Sequence, residues 1–537
     1  MNGQRATVNG DPPSPPPWQA RVLAVWLGLG ALAVVLSVVP STLFDLDRFA
    51  APKELVLHAT ALGALILLAV GGRGRPGLVA AEILLAGFAA WSTLSAIFAT
   101  NHWLAARALA ITVSGWIIFH AAYRAARRGA GHWLIRGLAI AFVIAALTGL
   151  AQAYGLDLSI LADSRAPGGT LGNRNFLAHL VAIGSPVVLL QLAEAGGPRR
   201  AVLAAGSFGL MCCALVLTRS RASWLGMLVS VGIMLLAWLI ARHGAREIVP
   251  RGRIRAALLA ALCGVAAAVL LPNRLTWKSD SPYSDTVRDL TNYREGSGRG
   301  RLIQYRNSAR LVRLDPVFGT GPGNWPVKYP LVTTRGDPSF AVLDPMPTNP
   351  WPSSDWVAFL TERGGMAVLL LLASVAAMGV TAARRLRRED LAQVRRAIAL
   401  LGVLSATLVT GSFDAVLLLA PPALLVWALA GALLPETGVA GVLPAGRARL
   451  ALVAAVGLLL AAGRSWGQVR SIALAEPGWP VERLERAVRL DPGSYRLHLM
   501  IGQRTSCARG ARHAAVAARL FPYLPAPKRR LVQCGVR

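Results

Sequence analysis

Residues 222–241 read ASWLGMLVSVGIMLLAWLIA, with no charged side chain among them. A helix rises about 1.5 Å per residue, so this run is long enough to cross the roughly 30 Å hydrocarbon core of a bilayer. It is apolar on every face, as a membrane span is and a surface helix is not. Similar runs recur near 21–40, 54–71, 78–98, 105–123, 133–154, 175–193, 201–217, 254–272, 356–380, 397–412, 415–433 and 447–463. The chain of 537 residues is 54% hydrophobic and 15% charged, which sets it apart from soluble domains. The expected fold class is therefore an all-α polytopic membrane protein with about 12–13 transmembrane helices, one large extracytoplasmic loop and a small helical C-terminal extension.

The net charge is +30, from 56 Lys+Arg against 26 Asp+Glu. Nucleic-acid binding is not the reading, because the arginine clusters lie between apolar runs, where basic loops orient a membrane protein and meet anionic membrane lipids. The segments GGRGRPG, YRAARRGAGHW, AGGPRR, ARHGAREIVPRGRIR and AARRLRREDLAQVRR form the more basic alternate set and are assigned to the cytoplasm. The expected organisation follows: a Pro-rich disordered cytoplasmic tail over 1–20 without a cleavable signal peptide, nine spans over 21–272, an extracytoplasmic loop over 273–355, the remaining spans over 356–463, and an extracytoplasmic region over 464–537. Cys212, Cys213 and Cys263 lie within apolar runs and read as small core residues. No CxxC pattern occurs, so neither a metal nor another cofactor is expected. Cys507 and Cys534 could pair if their region faces an oxidising compartment.

The most distinctive polar motifs fall on the side assigned as extracytoplasmic. They are GGTLGNRNF (168–176), TRSRASW (218–224), the long loop, and PSSDWVAFLTERGG (352–365), where charges stand at the mouth of a span. Within the loop, 279–299 reads as mobile and GRLIQYRNSARLVRL (300–314) has helical period. Leu302, Tyr305, Ala309 and Val312 are expected to form its apolar face, opposite Arg306, Arg310 and Arg313, with Arg301 leading on the Tyr305 side. The glycines of DPVFGTGPGNW (315–325) are neither a dinucleotide fingerprint nor a P-loop, and read as a tight turn that returns the chain to the membrane.

The order of GTLGNRNFLAHL, LTRSRASWLGML, GRLIQY with LDPVFGTGPGNWPVKYP, and SSDWVAFLTERGG resembles the O-antigen ligase family of bacterial membrane glycosyltransferases, over roughly residues 20–435. The resemblance implies a metal-independent transfer on the outer face of the bacterial inner membrane. The donor is a glycan on undecaprenyl pyrophosphate; the acceptor is a hydroxyl on a lipid, protein or glycan. Arg221 and Arg301 would take the family's diphosphate-binding positions, with Arg174 and Arg219 as helpers and Asn175 and Tyr305 beside the substrate. Guanidinium groups suit a leaving pyrophosphate because their planar fork holds two oxygens at once. Ser353 stands where many members carry histidine, and serine is no base near neutral pH. Three readings stay open: Asp355 or, less directly, Glu362 is the base; leaving-group departure dominates and no strong base is needed; or the chain is an inactive relative. His179 reads as a bundle-interior histidine.

ERAVRLDPGSYRLH and ARHAAVAARLFPYLP in the C-terminal region resemble about one and a half degenerate tetratricopeptide repeats. Three alternatives to the ligase reading are a polysaccharide polymerase of the same family, a transporter, and a non-catalytic glycan-assembly partner. A transporter would be expected to carry internal repeats and a midplane site, and neither is visible.

Overall fold

A computed structural model of the chain describes residues 17–41, 44–70, 77–161, 165–241, 247–277, 279, 281–288, 296–341, 346–435, 441–442, 447–475 and 478–536. Most of the predicted tail, up to residue 16, and part of the segment expected to be mobile, 289–295, lie outside the described residues.

The described chain is all-α and polytopic. Nine helices come first: α1 (Trp18–Leu36), α2 (Asp47–Val70), α3 (Ala80–Ile97), α4 (His102–Ala125), α5 (Gly131–Ala153), α6 (Arg174–Ala193), α7 (Pro198–Thr218), α8 (Arg221–Ala241) and α9 (Arg251–Leu270). Then follow α10 (Pro282–Arg288), α11 (Gly296–Leu314) and α12 (Trp325–Lys328). The bundle resumes with α13 (Asp355–Arg385), α14 (Leu391–Phe413), α15 (Ala420–Leu433) and α16 (Arg447–Leu474). Four short helices close the chain: α17 (Val481–Leu490), α18 (Tyr495–Arg504), α19 (Cys507–Leu520) and α20 (Pro525–Gln533). Each of the thirteen predicted spans coincides with a helix; α4 and α5 run as one stretch broken by non-helical backbone at Arg128 and Gly129. A two-residue pairing, Gly77–Leu78 with Gly441–Val442, ties the chain after α2 to the chain after α15.

The helices start where their sequences can satisfy free amides. Asn101 caps α4 by accepting from the Trp103 and Leu104 amides, Asn173 caps α6 from Asn175, and Asp390 caps α14 from Ala392. α15 is buried along its whole length and packs on α4, α5, α1, α2 and α14. Sequence reading begins this span at 415 and treats Pro421-Pro422 as a break within it. In the structure Leu419 is the N-cap and the two prolines open α15, where a missing N–H costs nothing.

α11 forms as expected, but on a different face. Its buried side carries Gln304, Asn307, Ser308 and Leu311, while Leu302 and Ala309 are exposed. The buried polar groups are all engaged. Gln304 donates to Ser339 Oγ (2.9 Å), Asn307 donates to Asp337 (2.8 Å), and Ser308 Oγ accepts from Trp325 Nε1 (2.9 Å). Apolar periodicity misses such a face because partnered polar groups can be buried at little net cost.

Candidate functional site

The motif TERGG organises this end of the bundle. Gly364 interrupts α13 with φ 76° and ψ 176°, a conformation essentially reserved for glycine. A Cβ there would stand 1.9 Å from the Val317 carbonyl oxygen, so the chain of 315–325 lies directly against the break. Gly319, Gly321 and Gly323 all have positive φ, as a tight turn requires. The turn is pinned by Thr320 N–H to the Thr361 carbonyl and Gly321 N–H to the Glu362 carbonyl, both 2.9 Å.

Glu362 completes this pinning. Its buried carboxylate accepts from the Gly323 amide (2.8 Å) and the Trp325 amide (3.2 Å). Asp355, the first residue of α13 directly after the N-cap Ser354, does similar work. It is fully buried, and its two oxygens accept from the Val416 amide (2.9 Å) and the Leu417 amide (2.8 Å), which fixes the turn into α15. Neither carboxylate lines the large cavity described next, though Glu362 lines a smaller one beside it; the bonds of both brace the backbone.

A cavity of about 1140 Å³ opens at this face of the bundle. The entry to α6 supplies Asn173, Asn175 and Phe176, the start of α11 supplies Ser297 and Arg301, and the approach to α13 supplies Ser353. Asp414, at the C-cap of α14, and Arg496 of α18 complete its charged lining with Asp45 and Arg165. Of the residues expected at the site, Asn175 and Arg301 therefore line it directly. Arg221 reaches its wall by donating from Nη2 to Ser297 Oγ (2.8 Å). Tyr305 stands behind Ser353, its hydroxyl 2.6 Å from the Ser353 carbonyl and 3.1 Å from that of Ser412. The helpers Arg174 and Arg219 form a separate pair, with guanidinium carbons 5.2 and 4.8 Å from the ring centre of Trp277. Arg219 also takes a left-handed backbone (φ 54°) and donates from Nε to Thr286 Oγ1 (2.8 Å), which shapes the turn between α7 and α8.

Asp414 is a cavity-lining acid that sequence reading passed over. Its Oδ2 accepts from Asn175 Nδ2 (3.1 Å) and lies 3.7 Å from Nε2 of the buried His179, while Oδ1 accepts from the Ala415 amide (2.9 Å). Its side chain keeps 14% exposure on the cavity side. The signal was a lone acid between two apolar runs, in GSFDAVL, and it was absorbed into a span boundary. His179 is an interior histidine as expected, though it sits directly behind this carboxylate.

Away from the spans, the 315–340 segment is held by Tyr329, whose hydroxyl donates to Asp337 Oδ2 (2.7 Å). Burial, followed by this bond, pushes the phenol well above its ordinary range, so it stays a neutral donor.

Together these features define a polytopic membrane protein whose bundle opens at one end into a cavity lined by Arg165, Arg301 and Arg496 and by two acids, Asp45 and Asp414. Residues 206–357 match the family model described as O-antigen ligase, and over that stretch the chain is O-antigen ligase-like. The match runs from α7 to the start of α13 and includes Arg219, Arg221, Arg301, Tyr305, Ser353 and Asp355. Asn175, Glu362, Asp414 and the C-terminal helices lie beyond it. No curated protein matches the chain.

Proposed function

We propose that this protein is a glycosyltransferase of the O-antigen ligase type, which moves a glycan from undecaprenyl pyrophosphate to an acceptor hydroxyl at the outer face of the inner membrane. The observation that carries the reading is the single cavity that holds Arg301 and Asp414, with Arg221 tied to its wall through Ser297. Arg301 and Arg221 bind the donor pyrophosphate. The acceptor oxygen attacks the anomeric carbon and forms the new C–O bond. The bond to pyrophosphate breaks, its electron pair leaves with the phosphate oxygen, and the guanidinium groups stabilise that growing charge. The acceptor proton passes to Asp414, which Asn175 orients. A carboxylate is a weak base, but the hydroxyl becomes strongly acidic as it bonds to carbon, so late proton transfer suffices.

The disulfide between Cys507 and Cys534 supports an oxidising location for the C-terminal helices, which pack on the cavity face. On this reading the tetratricopeptide-like region is the wall that the membrane bundle lacks on that side. Whether the acceptor is a lipid, a protein or another glycan separates a ligase from a polymerase of the same chemistry.

The test is a gene deletion followed by complementation. Loss of the protein should accumulate lipid-linked glycan and remove a glycoconjugate. Arg301→Ala, Arg221→Ala and Asp414→Asn should fail to restore it at normal protein levels. Full restoration by all three would refute the assignment.

A further inference from the structure

A second cavity, of about 340 Å³, lies between the membrane bundle and the C-terminal helices. Its size falls within the roughly 300–1,000 Å³ typical of small-molecule sites. It adjoins the larger cavity: Leu46, Asn349, Pro350, Trp351 and Arg496 line both.

Most charged groups around it are hydrogen-bonded: Arg363 donates from Nη1 to Ser92 and Thr112 (both 3.0 Å), although its Nε is buried without a partner among the described residues. Arg107 is clamped by Glu54, with Nε 2.8 and 2.9 Å from the two carboxylate oxygens. Arg496 faces Asp47 at 3.6 Å, and Asp491 accepts from Trp103 Nε1 (3.2 Å) and Gln468 Nε2 (3.4 Å). Glu362 is taken up by backbone amides. Arg464, on α16, lines the same cavity, and its Nε, Nη1 and Nη2 are all buried without a hydrogen-bond partner among the described residues. Its guanidinium carbon sits 4.8 Å from the ring centre of Trp103, a cation–π contact that satisfies none of its N–H bonds. A buried guanidinium with every donor idle is costly, and a compact oxyanion with paired oxygens relieves that cost.

We infer that this cavity is a subsite for an acidic group on the acceptor, a carboxylate or phosphate carried by its sugar, held by Arg464 while the acceptor hydroxyl reaches the adjoining larger cavity. The inference rests on the transferase reading, and the first arm of its test does not depend on that reading. Purified full-length protein carrying Arg221→Ala and Arg301→Ala, which removes both proposed diphosphate ligands of the larger cavity, is titrated with inorganic phosphate and followed by thermal unfolding. Phosphate should stabilise it, and adding Arg464→Gln should weaken phosphate at least about tenfold, the scale of one charge-assisted hydrogen-bond pair. Arg464→Lys should recover part of the effect. Equal phosphate response with and without Arg464→Gln would overturn the site.

The second arm measures transfer with paired acceptors that differ only in one acidic group. Arg464→Gln should lower the preference for the acidic acceptor about tenfold. An unchanged preference would overturn the acceptor assignment, and an Arg464 effect that appears only in anionic and not in zwitterionic nanodiscs would overturn it in favour of a lipid headgroup. Absence of transfer in the wild type would remove the transferase reading, while the phosphate titration would still decide whether Arg464 holds an anion.

Discussion

Gly364 offers a sharp test of how the site is held, because its neighbour serves as a control. At Gly364 the backbone has φ 76° and ψ 176°, and an added methyl would stand 1.9 Å from the Val317 oxygen, 2.7 Å from its carbon and 3.2 Å from the Pro316 oxygen. These are backbone atoms, so no side-chain rotation relieves the clash. The strained dihedral alone costs about 1–3 kcal/mol for a residue other than glycine. The displaced turn also endangers the Thr320–Thr361 and Gly321–Glu362 backbone bonds and the two amide bonds to the Glu362 carboxylate. At about 1 kcal/mol net for each bond lost, losing two of these four would bring the cost of Gly364→Ala to about 3–5 kcal/mol. At Gly365 nothing lies within 4 Å of the added methyl, and Gly365→Ala should be neutral or stabilise the helix by up to about 1 kcal/mol. Thermal unfolding in detergent, read beside expression level and activity, should place Gly364→Ala several degrees below wild type and Gly365→Ala level with it or above. Indistinguishable melting curves for the two variants would refute the packing of 315–325 against the helix break.

Three further outcomes follow from particular residues. Asp414→Asn should leave the fold intact and reduce transfer by about 10²–10⁴, whereas Asp355→Asn should lower stability and restore activity in proportion to the protein that survives; the reverse pattern in a complementation and melting series would return the base to Asp355. In the C-terminal helices, His498 Nδ1 lies 3.0 Å from His513 Nδ1, and His498 Nε2 lies 3.1 Å from the Pro492 carbonyl, an arrangement in which one ring must accept and the two rings cannot both be protonated. Burial is the main cause that pushes His498 down to about 4 and lowers His513. Since the unfolded rings titrate near 6.5, their contribution should be complete above that pH and fade as pH falls towards about 4, which hydrogen exchange of α18 and α19 would detect; flat protection across that window would contradict it. Finally, the Cys507–Cys534 disulfide should give a mobility difference between reduced and non-reduced protein that either Cys→Ser change abolishes, and full labelling of both thiols in intact cells would exclude the bond.

The sequence alone determined the membrane architecture. A charge-free run such as 222–241 has no stable alternative to a helix in lipid, since every backbone amide must be satisfied within the segment. All thirteen apolar runs were legible as helices for that reason, although α15, with 14 residues, is shorter than the candidate membrane spans; the turn in DPVFGTGPGNW was legible because closely spaced glycines signal positive φ. Roles within the site were another matter. Asp355, Glu362 and Asp414 are all acids near the ends of apolar helices, and nothing in local sequence ranks them. Tertiary structure separates them by what reaches their oxygens. Amides from 416–417 and 323–325 occupy the first two, while Asp414 keeps one side open to the cavity beside Asn175. The buried polar face of α11 and the idle guanidinium of Arg464 were likewise invisible in one dimension. Hydrophobic periodicity depends on neighbours three and four residues apart, whereas a polar side chain is satisfied or left wanting by partners well beyond that reach, 17 to 35 residues away for the α11 face.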